Sequence, residues 1–134
     1  MRFSILLLVL LGLAACSDDD DNDGTMDPGP TPVSFTTQIQ PIFDSSCIQC
    51  HGDTAFGGLD LRADSSHGNL VGVESNGYAP ALLVSPGNPA ASVLYGKITD
   101  SGRFGSVMPP PPNDALSTEQ IAVIELWIEE GANP

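Results

Sequence analysis

The chain has 134 residues, with four Lys plus Arg against seventeen Asp plus Glu and a formal charge of −13. That length suits one domain. The acid excess argues against nucleic acid, whose phosphates need clustered Lys and Arg, and against docking on an anionic lipid surface. No apolar run approaches the ~18 residues of a spanning helix, and three cysteines are too few for a disulfide-dense scaffold. Fourteen Gly and twelve Pro against 16% charged residues point to a loop-rich domain rather than a long-helix bundle.

Residues 1–15 read as an address. Arg2 precedes Ile5 to Ala15, an eleven-residue apolar run of signal-peptide length. It closes on Leu13-Ala14-Ala15-Cys16, which resembles the lipobox of bacterial lipoproteins. The resemblance implies that Cys16 is acylated and heads the mature chain, several acyl chains holding it stably on a membrane. The competing reading is an ordinary signal peptide followed by a free thiol, a redox liability outside the cytosol. Ser17 resembles an outer-membrane sorting residue. Asp18 to Asp21 and Asp23 resemble the acidic export tag of some surface lipoproteins, and equally form a solvated tether whose like charges repel. The expectation is an acidic, Pro-rich tether over 16–33. It would hold the protein in the cell envelope, lipid-anchored to the outer membrane, periplasmic or surface-exposed.

The folding unit is then 34–134. Six of the seventeen acids fall in the tether, leaving eleven against three bases in this unit. Phe35, Ile39, Ile42, Phe43 and Cys47 recur at helical steps and predict a helix, with a kink or a start near Gln40 because Pro41 lies inside the pattern. This helix leads into Cys47-Ile48-Gln49-Cys50-His51. C-x-x-C-H is the pattern of c-type haem attachment: two thiols form thioethers with the vinyl groups, and the adjoining His is carried under the iron. Three other uses compete. A zinc site needs four ligands, and only His67 could join Cys47, Cys50 and His51. A thioredoxin-like pair wants a βαβ context that is missing. A plain disulfide is the third. The count favours haem: one Cys goes to lipid, two to haem, and none is left over.

A six-coordinate iron needs a second axial ligand. The mature chain offers Met26 in the tether, Met108 and His67. Met108 opens Met108-Pro109-Pro110-Pro111-Pro112, an extended strap suited to holding a thioether over iron. His67 lies in the polar run Asp64 to Asn69, which reads as a solvated loop; a bis-His site is the alternative. Arg62 and Arg103 are candidates to bond the haem propionates, because guanidinium matches carboxylate, with plain surface charge as the bland reading.

Residues 34–134 resemble a class I cytochrome c domain, more narrowly the planctomycete-type cytochrome c domains. The match rests on Cys47 to Gly52, Gly57-Gly58-Leu59-Asp60-Leu61-Arg62, Ser85 to Leu94, Ser106-Val107-Met108-Pro109-Pro110 and Ile124 to Ala132. The resemblance implies an all-α fold of three to four short helices around one covalent haem c, and Trp127 packed against the Phe35 to Phe43 face. It also implies a monohaem electron carrier, not an enzyme, with His51 and Met108 on the iron and a redox partner protein. A haem enzyme or gas sensor with a labile distal ligand, and a non-redox surface lipoprotein, are the alternatives. The chain departs from the lysine-ringed haem edge of many such carriers, having only Arg62, Lys97 and Arg103.

The rest reads as support. Asn88-Pro89 starts a helix that continues through Val93, Leu94 and Ile98. Leu59/Leu61 and Leu82/Val84 alternate weakly, a signal for one short β-pair. The last helix has Ser117 as N-cap with Gln120 three residues on, Leu116 and Ile121 at the staple positions and Gly131 beyond its end. Glu129 and Glu130 lie at the wrong end of that helix for its dipole.

Overall fold

The computed structural model describes residues 31–134; the expected signal peptide, Cys16 and most of the tether lie outside the described residues. Five α-helices carry the architecture: α1 Gln40–Ser46, α2 Ile48–His51, α3 Ser66–Leu70, α4 Val93–Ile98 and α5 Thr118–Glu129. The fold is all-α, with no strand among the described residues. It has one helix more than the expected three to four, because α2 and α3 are single turns. No helix among these residues is long and apolar enough to cross a membrane.

The Pro41 expectation resolves into a specific device. Proline lacks an N–H and its ring crowds the carbonyl four residues earlier. The chain answers with a wider π-helical turn over Phe35–Ile39, closed by Gln40 N–H donating to Phe35 O, and α1 begins at Gln40 with Pro41 in its first turn. Ser34 caps the start through Thr37 N–H at 3.4 Å.

Helix α5 forms as its ends dictate. Ser117 Oγ accepts from Gln120 N–H at 3.2 Å, and Gln120 Oε1 accepts from Ser117 N–H at 2.9 Å, a complete capping box. Gly131 takes φ +101°, a left-handed conformation that costs glycine little. Ile124, Trp127 and Ile128 are fully buried. The Trp127 ring lies 5.2 Å from that of Phe35, which in turn meets Phe43 edge-on at 6.1 Å, so α5 packs on the helix entry as expected. The Trp127 indole N–H donates to Asn133 O at 2.8 Å. Trp127→Ala should therefore cost about 3–5 kcal/mol, the usual loss for a fully buried large aromatic, measured by urea unfolding of the complete protein. A loss under ~1 kcal/mol would show that this junction does not hold the domain.

Three expectations need correction. The helix expected from Pro89 onward splits into a 3₁₀ turn at Pro89–Ala91 and α4, because Ser92 between them is extended. Its buried hydroxyl accepts from Ser85 N–H at 2.8 Å and donates to Asn88 O at 2.9 Å. The weak β signal pairs elsewhere: isolated bridges join Val71 to Val84 and Glu74 to Leu82, not Leu59/Leu61 to Leu82/Val84. The 82–84 stretch is then held on both sides, its backbone bonding Val73 and α4's Leu94. Finally, His67 is not a solvated loop residue. It sits on α3, its Nε2 2.9 Å from Ala132 O and its ring edge-on to Phe35 at 5.0 Å. Aromatic packing overrides the polar composition around it.

Glu130 finds its use here as well. Its carboxylate accepts from Val33 N–H at 2.7 Å, offsetting an unfavourable place on the α5 dipole by tying the chain's entry to its exit.

Candidate haem-attachment site

Helix α1 ends at Ser46, and its last turn hands over to Cys47, whose N–H donates to Phe43 O at 2.8 Å. Cys47 O then accepts from Cys50 N–H at 3.1 Å and from His51 N–H at 2.9 Å. One helical turn thus carries both thiols and the imidazole. Gly52 is required directly afterwards: a Cβ there would lie 2.5 Å from Ile48 O. The chain turns away, and Leu61 returns to donate its N–H to His51 O at 2.6 Å.

The donor chemistry fits covalent haem. Cys47 and Cys50 are free, half-buried thiols. Burial, with Cys50 beside it, pushes the Cys47 thiol up to about 11, so it stays protonated at neutral pH. His51 Nδ1 is buried and lacks a hydrogen-bond partner among the described residues. A buried polar atom without a partner costs ~1–3 kcal/mol, so this imidazole is built for a further interaction. Ile48, Leu59, Leu83, Leu94 and Ile121 pack on the core yet stay only partly buried, leaving apolar surface that a hydrophobic cofactor could cover. The zinc alternative finds no support: no three His, Cys, Asp or Glu converge on one point among the described residues, and His67 is committed to Ala132 O. The same commitment weighs against bis-His ligation.

Met108 is half-buried, and its N–H donates to Lys97 O at 3.0 Å, which hangs the Met-Pro strap on the end of α4. Arg62 is exposed and already paired: Nε and Nη2 reach Asp60 at 3.0 and 2.6 Å, and Nη1 bonds Asp53, two residues past His51. Arg103 is exposed, its Nη1 donating to Ala90 O at 2.9 Å.

A family model described as Planctomycete cytochrome C matches residues 47–112. The chain carries a c-type cytochrome-like domain. The match opens on the first motif cysteine and closes in the proline run behind Met108. No curated protein matches the chain, and no solved structure does. The match implies covalently attached haem c, with Cys47 and Cys50 spaced as the attachment requires, and suggests at most haem-based electron transfer.

Two contributors to this site escaped the sequence reading. Gln40 is buried inside the apolar helix face, its Nε2 donating to Leu61 O at 2.9 Å and to Asp44 at 2.8 Å. The buried Ser66 hydroxyl donates to its Oε1 at 2.5 Å. Since Leu61 N–H holds His51 O, Gln40 fixes the segment that braces the motif. The available signal was a polar residue within an apolar stripe.

The Arg62 cluster gives a pH prediction. Hydrogen bonding from Arg62 holds the Asp60 carboxyl down at about 2 from an ordinary 3.8. A depressed carboxyl stabilises the fold above its ordinary value and loses that contribution as pH falls towards 2. Carboxyl NMR titration of the holoprotein should place Asp60 near this value, and Arg62→Gln should return it towards the ordinary range. An unshifted wild-type midpoint would remove the pair.

Proposed function

We propose that the protein is a lipid-anchored monohaem c-type cytochrome that passes single electrons between partners in the cell envelope. In this reading the haem is thioether-linked to Cys47 and Cys50, with His51 and Met108 as axial ligands. The observation that carries it is the single turn presenting two free thiols and an imidazole whose Nδ1 is buried and unpartnered. Bound there, haem supplies reversible one-electron iron chemistry, and thioether ligation favours the reduced state.

The chain's own residues hold that site. Gln40 and Leu61 fix the His51 backbone, and Lys97 O fixes the start of the strap at Met108. Cys16 would supply the membrane link, with 16–33 as spacer.

The test is expression of the full chain with c-type haem maturation. It should fractionate with membranes, keep a haem stain through a denaturing gel, and give a low-spin spectrum with the weak long-wavelength Met-to-iron band. A colourless protein would overturn the cytochrome reading, and a coloured protein without that band would overturn Met108 ligation.

A further inference from the structure

Residue 40 interrupts the apolar face of the helix that leads into the motif. Ile39, Ile42 and Phe43 around it are buried, and so is Gln40. A buried amide is costly unless its donors and acceptor are met. All three are met here: Nε2 donates to Leu61 O at 2.9 Å and to Asp44 Oδ1 at 2.8 Å, and Oε1 accepts from the buried Ser66 hydroxyl at 2.5 Å. One side chain on α1 thus clamps both α3 and the returning Leu61 segment. Leu61 is itself 2% exposed, and its N–H donates to His51 O at 2.6 Å. His51 depends on that bond more than a helical residue usually does. It closes α2, a helix of only four residues. So short a helix cannot hold its own geometry, and its last carbonyls have no donor within the turn. The motif is therefore held at both ends by α1. Cys47 hangs on it directly, through its N–H to Phe43 O at 2.8 Å, and His51 hangs on it by way of Leu61 and Gln40.

We infer that Gln40 is a positioning residue for the axial imidazole: through Leu61 it fixes the orientation that His51 presents to bound haem, and so sets the reduction potential. The inference rests on the reading above of Cys47 to His51 as a haem site with His51 on the iron. A methionine at position 40 would have nearly the same length and would continue the apolar stripe with no amide to satisfy. What only an amide supplies is direction, two donors and one acceptor in a plane, here aimed at three separate groups. A fully satisfied buried polar network rigidifies and specifies one arrangement. Supporting bonds behind a metal ligand orient it and raise its basicity. A firmly held imidazole donates most to ferric iron, the more electron-poor state. Releasing it destabilises the ferric form more than the ferrous and raises the potential.

The experiment compares full-chain holoproteins by potentiometric titration, ferric electron paramagnetic resonance and urea unfolding. Gln40→Met should shift the ferric–ferrous equilibrium about tenfold towards the reduced form, the lower end of what bonds behind a metal ligand are worth, or ~59 mV for one electron. It should also displace the low-spin ferric resonance. Gln38→Leu, on the exposed side of the same segment, should change neither. Gln40→Met strands the Ser66 hydroxyl. Adding Ser66→Ala removes that orphan, so the unfolding midpoint should partly recover while the potential stays at its shifted value. A potential that recovers together with the midpoint overturns the positioning role, as does an unshifted potential and resonance in Gln40→Met; either result leaves the haem reading standing. Where Gln40→Met fails to fold, Ser66→Ala alone decides. It frees Oε1 but leaves the Leu61 bond, so a smaller shift in the same direction is expected, and no shift overturns the role. A colourless wild-type protein overturns the haem reading and the positioning role with it.

Discussion

Replacing both motif thiols, Cys47→Ala with Cys50→Ala, is expected to yield a chain that carries no haem through a denaturing gel and melts without a cooperative transition. The first half follows from chemistry, since thioethers need sulfur. The second follows from size and packing. About a hundred residues can bury only a modest core, and five of this domain's larger apolar side chains, Ile48, Leu59, Leu83, Leu94 and Ile121, remain partly exposed at its margin. Apolar surface that a cofactor covers is worth roughly 25 cal/mol per Å², a contribution that matters against the ~5–15 kcal/mol by which domains are stable. Circular dichroism of the double variant against temperature checks it. A cooperative melt near that of the holoprotein would show that the helices stand by themselves and would reduce the haem to a passenger.

Met108→Ala should have the second largest effect, and on function rather than folding. The change removes a half-buried thioether from a segment held by backbone, through Met108 N–H on Lys97 O, a bond that alanine can still make. The strap should therefore persist. Covalent haem should remain, the potential should fall because the soft sulfur no longer favours the reduced state, and the reduced variant should bind carbon monoxide without denaturant. If wild type binds carbon monoxide equally well, the open-site alternative, a haem enzyme or gas sensor, replaces the electron carrier. If spectrum and potential are unchanged in the variant, Met108 is not the ligand.

What could be read from sequence was local. The C-x-x-C-H turn, the Ser117–Gln120 box and the break around Pro41 each depend on residues within a few positions of one another, so spacing alone reveals them. What could not be read joins distant residues. Gln40 with Ser66 spans 26 positions, His67 with Ala132 spans 65, and Val33 with Glu130 spans 97. Composition misled at His67, where flanking Ser, Gly and Asn suggest a loop and Phe35 and Trp127 provide the packing that makes a helix. It misled again around residue 82, because weak alternation identifies a bridging stretch without naming its partner.

The bond from Val33 to Glu130 has an architectural consequence. Together with Phe35 against Trp127 and His67 on Ala132 O, it brings the beginning and the end of the folded unit to one corner. A unit whose two ends coincide behaves as a pendant: it can be spliced into a surface loop of another protein, or strung as beads with its own kind, without straining host or guest. Such a domain could thereby be moved between polypeptides as a cassette, its interior indifferent to what precedes Val33 or follows Asn133.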